Sequence, residues 1–164
     1  MPRPTYAEVD LDAIRHNFHT LRALVPPAVR MLGVVKADAY GHGAVEVSRA
    51  LEAAGIDMLA VALVEEGAAL RDAGLRAPVL VMGVAPDDEI DPALECGLTL
   101  TVVDAETAAA VERRAAARSR RAAVHLKIDT GMNRLGVRAE EAAATAAAVA
   151  GMAHLDLEGA YTHF

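Results

Sequence analysis

The sequence lacks an excess of positive charge and is poor in aromatic residues. Its 164 residues carry 16 Lys and Arg against 23 Asp and Glu, a formal net charge of −7, and aromatic residues make up 3%. Nucleic-acid binding normally requires a basic surface, so this composition argues against a nucleic-acid partner. The arginine-rich run RRAAARSRR (113–121) lies in an alanine-rich helical pattern, and we predict that it forms a solvated helix face.

Cysteine is nearly absent, and long hydrophobic runs are absent altogether. Cys96 is the single cysteine, so we predict neither a disulfide framework nor a cysteine-based metal site. No stretch approaches the ~20 strongly apolar residues of a membrane span. Residues 1–10 lack the apolar region of a signal peptide. We therefore predict a protein of the reduced cytoplasm without a membrane partner.

Short apolar runs alternate with helical patterns along most of the chain. This alternation predicts an α/β fold of parallel strands joined by right-handed helical crossovers. The predicted strands are MLGVVK (31–36), MLAVAL (58–63), APVLVMG (77–83), LTLTVV (98–103), AVHLKID (123–129) and LEGAYTHF (157–164). They fit an open doubly wound sheet or part of a (β/α)8 barrel, and no glycine-rich nucleotide loop follows any of them. Since a barrel takes ~250 residues, we expect a fragment about two βα units short.

The stretch MLGVVKADAYGHG (31–43) ends a predicted strand on a lysine and continues into a glycine-rich loop. The carboxyl ends of parallel strands are where α/β proteins collect their chemistry. Lys36 could extend from the strand end into water, which is the structural role we favour for the residue taken alone. Alternatively, a partly desolvated amine at this place could attack an aldehyde and hold a carbonyl cofactor.

Four motifs together resemble the N-terminal part of alanine racemases. They are AEVDLDAIRHN (7–17), VVKADAYGHG (34–43), HLKIDTGMNRLGV (125–137) and YTHF (161–164), in an order and spacing that extend across essentially the whole chain. The resemblance implies a TIM-type (β/α)8 barrel, present here only in part, with about six βα units. Residues 1–164 would be the N-terminal part of the barrel domain that binds pyridoxal phosphate. The remaining barrel strands and a C-terminal β domain would lie outside this chain.

The resemblance assigns the first cofactor ligands. Lys36 would carry pyridoxal 5′-phosphate covalently, and the Tyr40 hydroxyl would bind its phosphate. The glycines of the loop would let the backbone turn close to the ligand. Asparagine often stands in this family where the chain has Asp38, and we assign that position no direct role. We expect His42 to cap the following helix.

The second motif has charged residues in and after another predicted strand. Strand alternation puts Lys127 and Asp129 on one face, and we expect Asp129 to fix the following turn. The resemblance implies that Arg134 contacts the phenolic oxygen of the cofactor and the substrate carboxylate, which suits a planar, permanently charged guanidinium. The lysine that matches Lys127 is often carbamylated in this family, and the resulting anion would hold Arg134.

His163, in YTHF, ends the last predicted strand. A lone strand histidine is more often a satisfied core residue than a catalytic one. The resemblance implies instead that His163 lies near the pyridine ring, as a supporting residue rather than a base. We assign none of the six histidines to a metal site.

The resemblance also implies the activity: a cytoplasmic, homodimeric isomerase that interconverts L-alanine and D-alanine and supplies D-alanine for peptidoglycan. Lys36 would be the base on one face of the substrate. The base on the other face would be a tyrosine of the neighbouring subunit, outside this chain. We therefore expect the 164 residues alone to racemise little or nothing.

Three alternatives stay open at this point. A broad-specificity or serine racemase would have the same cofactor motif. A non-catalytic pyridoxal phosphate carrier on the same kind of barrel would need no substrate-binding arginine, so Arg134 counts against it. An α/β fragment whose strand-end lysine has no function would not explain matching motifs at both ends and in the middle.

Overall fold

The first helix begins where the sequence supplies a cap. In the computed structural model, which describes residues 5–164, Asp10 precedes α1 (Leu11–Ala23). Its carboxylate accepts hydrogen bonds from the amides of Asp12 at 2.8 Å and Ala13 at 3.0 Å. These are amides that the first helical turn leaves without a partner. Asp10 is therefore the N-cap of α1.

All six predicted strands are present, and a seventh was missed. Within residues 5–164 the strands pair in parallel in the order β1-β2-β3-β4-β5, and both β6 and β7 pair with β5. Their bounds are β1 (Leu32–Val34), β2 (Met58–Val61), β3 (Val79–Val81), β4 (Thr99–Val102), β5 (Ala122–Asp129), β6 (Val137–Arg138) and β7 (Leu155–Tyr161). The missed strand, β6, is two residues long, which is too short for an alternating pattern to reveal it.

Helices alternate with the strands as the sequence predicts. They are α2 (Lys36–Gly41), α3 (Ala44–Ala53), α4 (Val64–Asp72), α5 (Ile90–Glu95), α6 (Ala105–Ala117) and α7 (Ala142–Ala150). The long alanine-rich α6 begins after Asp104, whose carboxylate accepts a hydrogen bond from the amide of Thr107 at 2.7 Å. Among the described residues, no helix is both long and apolar enough to cross a membrane.

The sheet has a helix-covered face and an inner face. Side chains such as Leu59, Val81 and Leu100 are fully buried against the helices. The opposite face carries a smaller buried cluster that includes Met58 and Leu80. This is the arrangement of a partial (β/α)8 barrel, so the predicted fold class is confirmed. The parallel pairing also gathers the carboxyl ends of the strands at one edge of the sheet.

The arginine-rich run is only partly the solvated face that we predicted. Arg114, on α6, forms ion pairs with Asp87 at 3.2 Å and with Asp91 of α5 at 3.1 Å. Arg121, just before β5, donates to the backbone oxygen of Leu155 at 2.6 Å. These arginines therefore connect neighbouring elements as well as facing water.

A bulge in β7 decides which side chains of its second half face inwards. Val124 pairs with Leu157, but the next residue of β5, His125, pairs with Gly159, so Glu158 is an extra residue. One inserted residue exchanges the two faces of a strand from that point on. Tyr161, which would otherwise face the helices, pairs with Lys127 on the inner face.

The packing at the bulge predicts that any side chain at Gly159 destabilises the fold. A Cβ atom there would lie 3.1 Å from Cε1 of His125, whereas one at Gly151 would lie 3.4 Å from its nearest neighbour, an ordinary contact. We expect Gly159→Ala to lower the free energy of unfolding by about 1 kcal/mol or more through overpacking, and Gly151→Ala to be nearly neutral. Urea unfolding of the variants measures both.

A double variant tests whether the His125 ring causes this loss of stability. If the His125 ring is what the new methyl group meets, Gly159→Ala combined with His125→Ala will cost less than the sum of the single changes. Strict additivity would contradict the proposed packing at the bulge.

Candidate functional site

A cavity of about 290 Å³ opens at the edge of the sheet where the strands end. It contains all five residues for which the sequence predicted a role at the cofactor, together with one that it did not: Lys36, Tyr40, Lys127, Arg134, His163 and Tyr161. The 164-residue sequence has two lysines, and both line this cavity. Three of the lining side chains are therefore Lys or Arg, and none is a carboxylate. The cavity is thus a locally positive site in a chain whose net charge is negative.

Lys36 and Tyr40 are linked by a turn of unusual hand. Four consecutive non-glycine residues of α2, from Ala37 to Tyr40, have φ between 50° and 56° and ψ between 38° and 52°. These are left-handed helical angles, which cost an L-residue roughly 1–2 kcal/mol each. Residues four apart lie on the same side of a helical turn. The turn thus brings both side chains to the cavity, and such strain in a fold is typical of functional sites.

Contacts inside the loop hold this turn, and they correct two expectations. Asp38, to which we assigned no direct role, accepts a hydrogen bond from the amide of Ala44 at 2.7 Å and so caps α3. His42 was expected to cap that helix, which is wrong: its Nδ1 lies 2.9 Å from the backbone oxygen of Ala39, inside the loop. Among non-glycine residues, Asp and Asn are also the ones that tolerate left-handed angles best, so either suits position 38.

Lys127 is buried, and among residues 5–164 no carboxylate lies within ion-pair distance of it. Its side chain lies on the inner face of β5 with 6% of the residue exposed. Nζ donates to the backbone oxygen of Ile128 at 3.3 Å and lies 5.1 Å from the centre of the Tyr161 ring. Burial lowers the pKa of Lys127, while Asp129 raises it and Arg134 lowers it further. A buried amine with a depressed pKa is available in its neutral, nucleophilic form at lower pH than an exposed lysine.

Tyr161 is the cavity residue that the sequence did not assign. Its hydroxyl lies 2.8 Å from Oγ1 of Thr101 and donates to the backbone oxygen of Met82 at 3.1 Å. Thr101 in turn donates to the backbone oxygen of Val81 at 2.7 Å. Burial raises the pKa of Tyr161. The ring is therefore anchored across three strands, and the threonines of LTLTVV were the signal of a polar contact inside the barrel.

Asp129 fixes the loop that presents Arg134, as predicted. Its Oδ1 accepts hydrogen bonds from the amides of Gly131 at 2.9 Å and Asn133 at 3.0 Å. These bonds hold the pKa of Asp129 below its usual value. Among the residues that the structure describes, Arg134 has no carboxylate within ion-pair distance. The loop thus offers an exposed guanidinium at the cavity mouth.

His163 reaches the same cavity from beyond the last strand. β7 ends at Tyr161, so the prediction of strand through residue 164 is wrong for its final residues. The hydroxyl groups of Thr130 and Thr162 share a hydrogen bond, which connects the Arg134 loop to the segment that carries His163.

The donor set suits an anionic ligand with an aldehyde group. Lysine and arginine side chains bind phosphates and carboxylates, and a lysine amine is the group that captures an aldehyde. Pyridoxal phosphate carries both a phosphate and an aldehyde, so the residues present fit it. In the described part of the chain no group of three or more His, Cys, Asp or Glu residues is arranged to hold a metal ion.

Comparisons with known proteins agree with this chemistry. The family described as "Alanine racemase, N-terminal domain" matches residues 9–164. An alanine racemase of Desulforamulus reducens is 47% identical over 165 residues, which cover 100% of this chain and 45% of the relative. That of Desulfovibrio desulfuricans is 42% identical, with 99% and 44% covered.

Solved structures give the same result. An alanine racemase of Clostridium difficile 630, solved in complex with cycloserine, superposes with a TM-score of 0.95 at 40% identity and covers 100% of this chain and 45% of its own. The Bacillus anthracis enzyme with bound L-Ala-P has a TM-score of 0.89 at 38% identity, with 100% and 42% covered. The chain thus spans less than half the length of the relatives that it matches.

The burial of Lys127 predicts a pH-dependent stability. Because the pKa of Lys127 is depressed only in the folded state, the protonated amine destabilises the fold at neutral pH. The unfolding free energy then rises with pH between the depressed pKa and the ordinary value of 10.5. In carbon dioxide-depleted buffer, we expect Lys127→Met to stabilise the protein at pH 7 by about 1–4 kcal/mol, with less gain near pH 10.

Urea unfolding at the two pH values tests this, and Arg138→Met is the matched change of an exposed cation. Greater stability of the wild type at pH 7, or equal differences at both pH values, would contradict the burial of an unpaired charge.

Proposed function

Because the chain belongs to the family of alanine racemase N-terminal domains, we propose that it is the cofactor-binding part of an enzyme that interconverts L-alanine and D-alanine. Residues 1–164 would contribute the first part of the barrel domain. The other barrel strands and the C-terminal β domain would belong to the full-length protein. A homodimer, a cytoplasmic location and the supply of D-alanine for peptidoglycan are parts of the same proposal, and they rest on the family resemblance.

The observation that carries the proposal is the cavity that Lys36, Tyr40, Lys127, Arg134 and His163 share. Lys36 would hold pyridoxal 5′-phosphate covalently, and Tyr40 would bind its phosphate. Arg134 would interact with the phenolic oxygen, and His163 would support the pyridine ring. Arg134 has no carboxylate partner among the described residues, and no carboxylate lines the cavity beside Lys36 and Lys127. This concentration of positive charge supports a site for an anionic ligand.

Racemisation requires a proton to leave and return at the α-carbon of alanine. When bound, the cofactor withdraws electrons from that carbon, so that its proton becomes acidic enough to transfer. The chain's own contribution is placement and a base. We propose that the Nζ atom of Lys36, once the amino acid has displaced it from its covalent bond, takes or returns the proton on one face. The base of the opposite face would be a tyrosine from outside this chain.

Arg134 would bind and orient the substrate. A guanidinium presents two parallel N–H groups to a carboxylate, so it fixes direction as well as charge. Lys127 lies close enough for its charge to act on Arg134, and its carbamylation would replace a repelling cation by an anion. We propose that this modification holds Arg134 in position. The depressed pKa of Lys127 supports it, since carbon dioxide reacts with a neutral amine.

The exposed Arg134 also favours a racemase over a non-catalytic carrier of the same cofactor. A carrier needs a lysine and phosphate ligands, whereas a guanidinium without a protein partner suits a substrate carboxylate. Racemisation rates measured with alanine and with serine would distinguish an alanine racemase from a serine or broad-specificity racemase.

An activity assay with a matched pair of arginine variants tests the proposal. The full-length protein with pyridoxal phosphate should racemise L-alanine, and the 164-residue chain alone should do so little or not at all. Arg134→Lys keeps the charge but loses the paired donors, and we expect its kcat/KM to fall at least about tenfold. Arg138→Lys, an exposed change four residues later in β6, should leave kcat/KM nearly unchanged.

A full-length protein as inactive as the 164-residue chain would reject the activity. Equal losses in the two arginine variants would reject the role of Arg134 while leaving the activity standing.

A further inference from the structure

Glu66 connects the turn that carries Lys36 to the neighbouring helix. Its Oε1 accepts a hydrogen bond from the amide of Ala37 at 2.6 Å. Its Oε2 accepts hydrogen bonds from the amides of Ala62 at 2.7 Å and Leu63 at 3.0 Å, where β2 leads into α4. One carboxylate thus bridges the ends of two adjacent parallel strands.

The Ala37 amide is a critical point of attachment. Ala37 directly follows Lys36 and is the first of the four left-handed residues that end at Tyr40. A backbone in this disfavoured conformation persists only where its surroundings hold it. The other hydrogen bonds of the turn are made within residues 35–44, whereas the bond to Glu66 comes from a different βα unit.

We propose that Glu66 is a positioning residue that aims the Lys36 amine into the cavity. A carboxylate makes stronger hydrogen bonds to backbone amides than a neutral acceptor does, so one charged side chain can fix both the turn and the start of α4. Ala62, whose amide it also binds, lines the same cavity. Only the identity of the group that Lys36 binds depends on the function proposed above.

Replacement by glutamine separates the two tasks of Glu66. The amide group of glutamine has one acceptor oxygen and one NH2 group that only donates. With its oxygen towards the amides of Ala62 and Leu63, it keeps the two bonds that cap α4. Its NH2 group then faces the N–H of Ala37, so that contact becomes two opposed donors. Glu66→Gln should therefore loosen the Lys36 turn and leave α4 in place.

Hydrogen exchange of the full-length protein, stripped of cofactor, tests this without reference to catalysis. We expect the amides of residues 36–43 to exchange about tenfold faster in Glu66→Gln, the effect of losing one charge-assisted hydrogen bond. Those of α4 should exchange as in the wild type. Glu65→Gln, an exposed change one residue away on the same helix, is the matched control and should alter neither segment.

Unchanged exchange at 36–43 in Glu66→Gln would overturn the proposal. Equal acceleration of 36–43 and α4 would overturn it as well, because Glu66 would then act only as a helix cap.

Cofactor binding gives the functional readout. We expect the dissociation constant for pyridoxal phosphate, followed by the absorbance of the bound cofactor, to rise about tenfold in Glu66→Gln relative to Glu65→Gln. An equal dissociation constant in the two variants would overturn the positioning role. A wild-type protein that binds no pyridoxal phosphate would reject the proposed function instead, while the exchange experiment would still decide the role of Glu66.

Discussion

Unpaired positive charge in one cavity is the constraint that organises the site. Lys36, Lys127 and Arg134 converge where the parallel strands end, and no carboxylate lines the space between them. The mutual repulsion of these cations is relieved when an anion joins them. Burial is the main cause of the depressed pKa of Lys127, and the positive charge of Arg134 lowers it further. The parallel sheet supplies the place, since it brings the ends of strands distant in sequence to one edge. The chemistry follows from what such a set of cations and amines can bind.

Two departures from regular geometry adapt the barrel to this site. The left-handed turn lets Lys36 and Tyr40, four residues apart, face the same cavity. The bulge at Glu158 reverses the faces of β7, so that Tyr161 comes to lie beside Lys127. Each also contacts a neighbouring βα unit. The Glu66 carboxylate accepts a hydrogen bond from the first residue of the turn, and the His125 ring lies beside Gly159 next to the bulge.

The sequence predicted the regular parts well because their signals are local. The six longer strands followed from apolar runs between helical patterns. The role of Asp129 in its turn was also predictable, since an Asp before a glycine-containing loop accepts nearby amides. These features depend on neighbours a few residues away.

What the sequence did not reveal depends on contacts between distant segments. Asp38 rather than His42 caps α3, which follows from the left-handed turn that no pattern of alanines predicts. Gly159 inside a strand was a sign of a bulge, but the extra residue is defined only by the pairing with β5. Glu66 gave no sign of its bond to Ala37, because a pair of glutamates at the start of a helix is common.

The most direct test of the central claim is to locate the bound cofactor. The full-length protein is incubated with pyridoxal phosphate, reduced with borohydride to make the covalent link permanent, digested and analysed by mass spectrometry. Lys127 is an internal control, because it is the other lysine of the chain and lies in the same cavity. Our account predicts phosphopyridoxyl label on Lys36 that disappears in Lys36→Ala. Label spread over Lys36 and Lys127, at a total unchanged in Lys36→Ala, would contradict it.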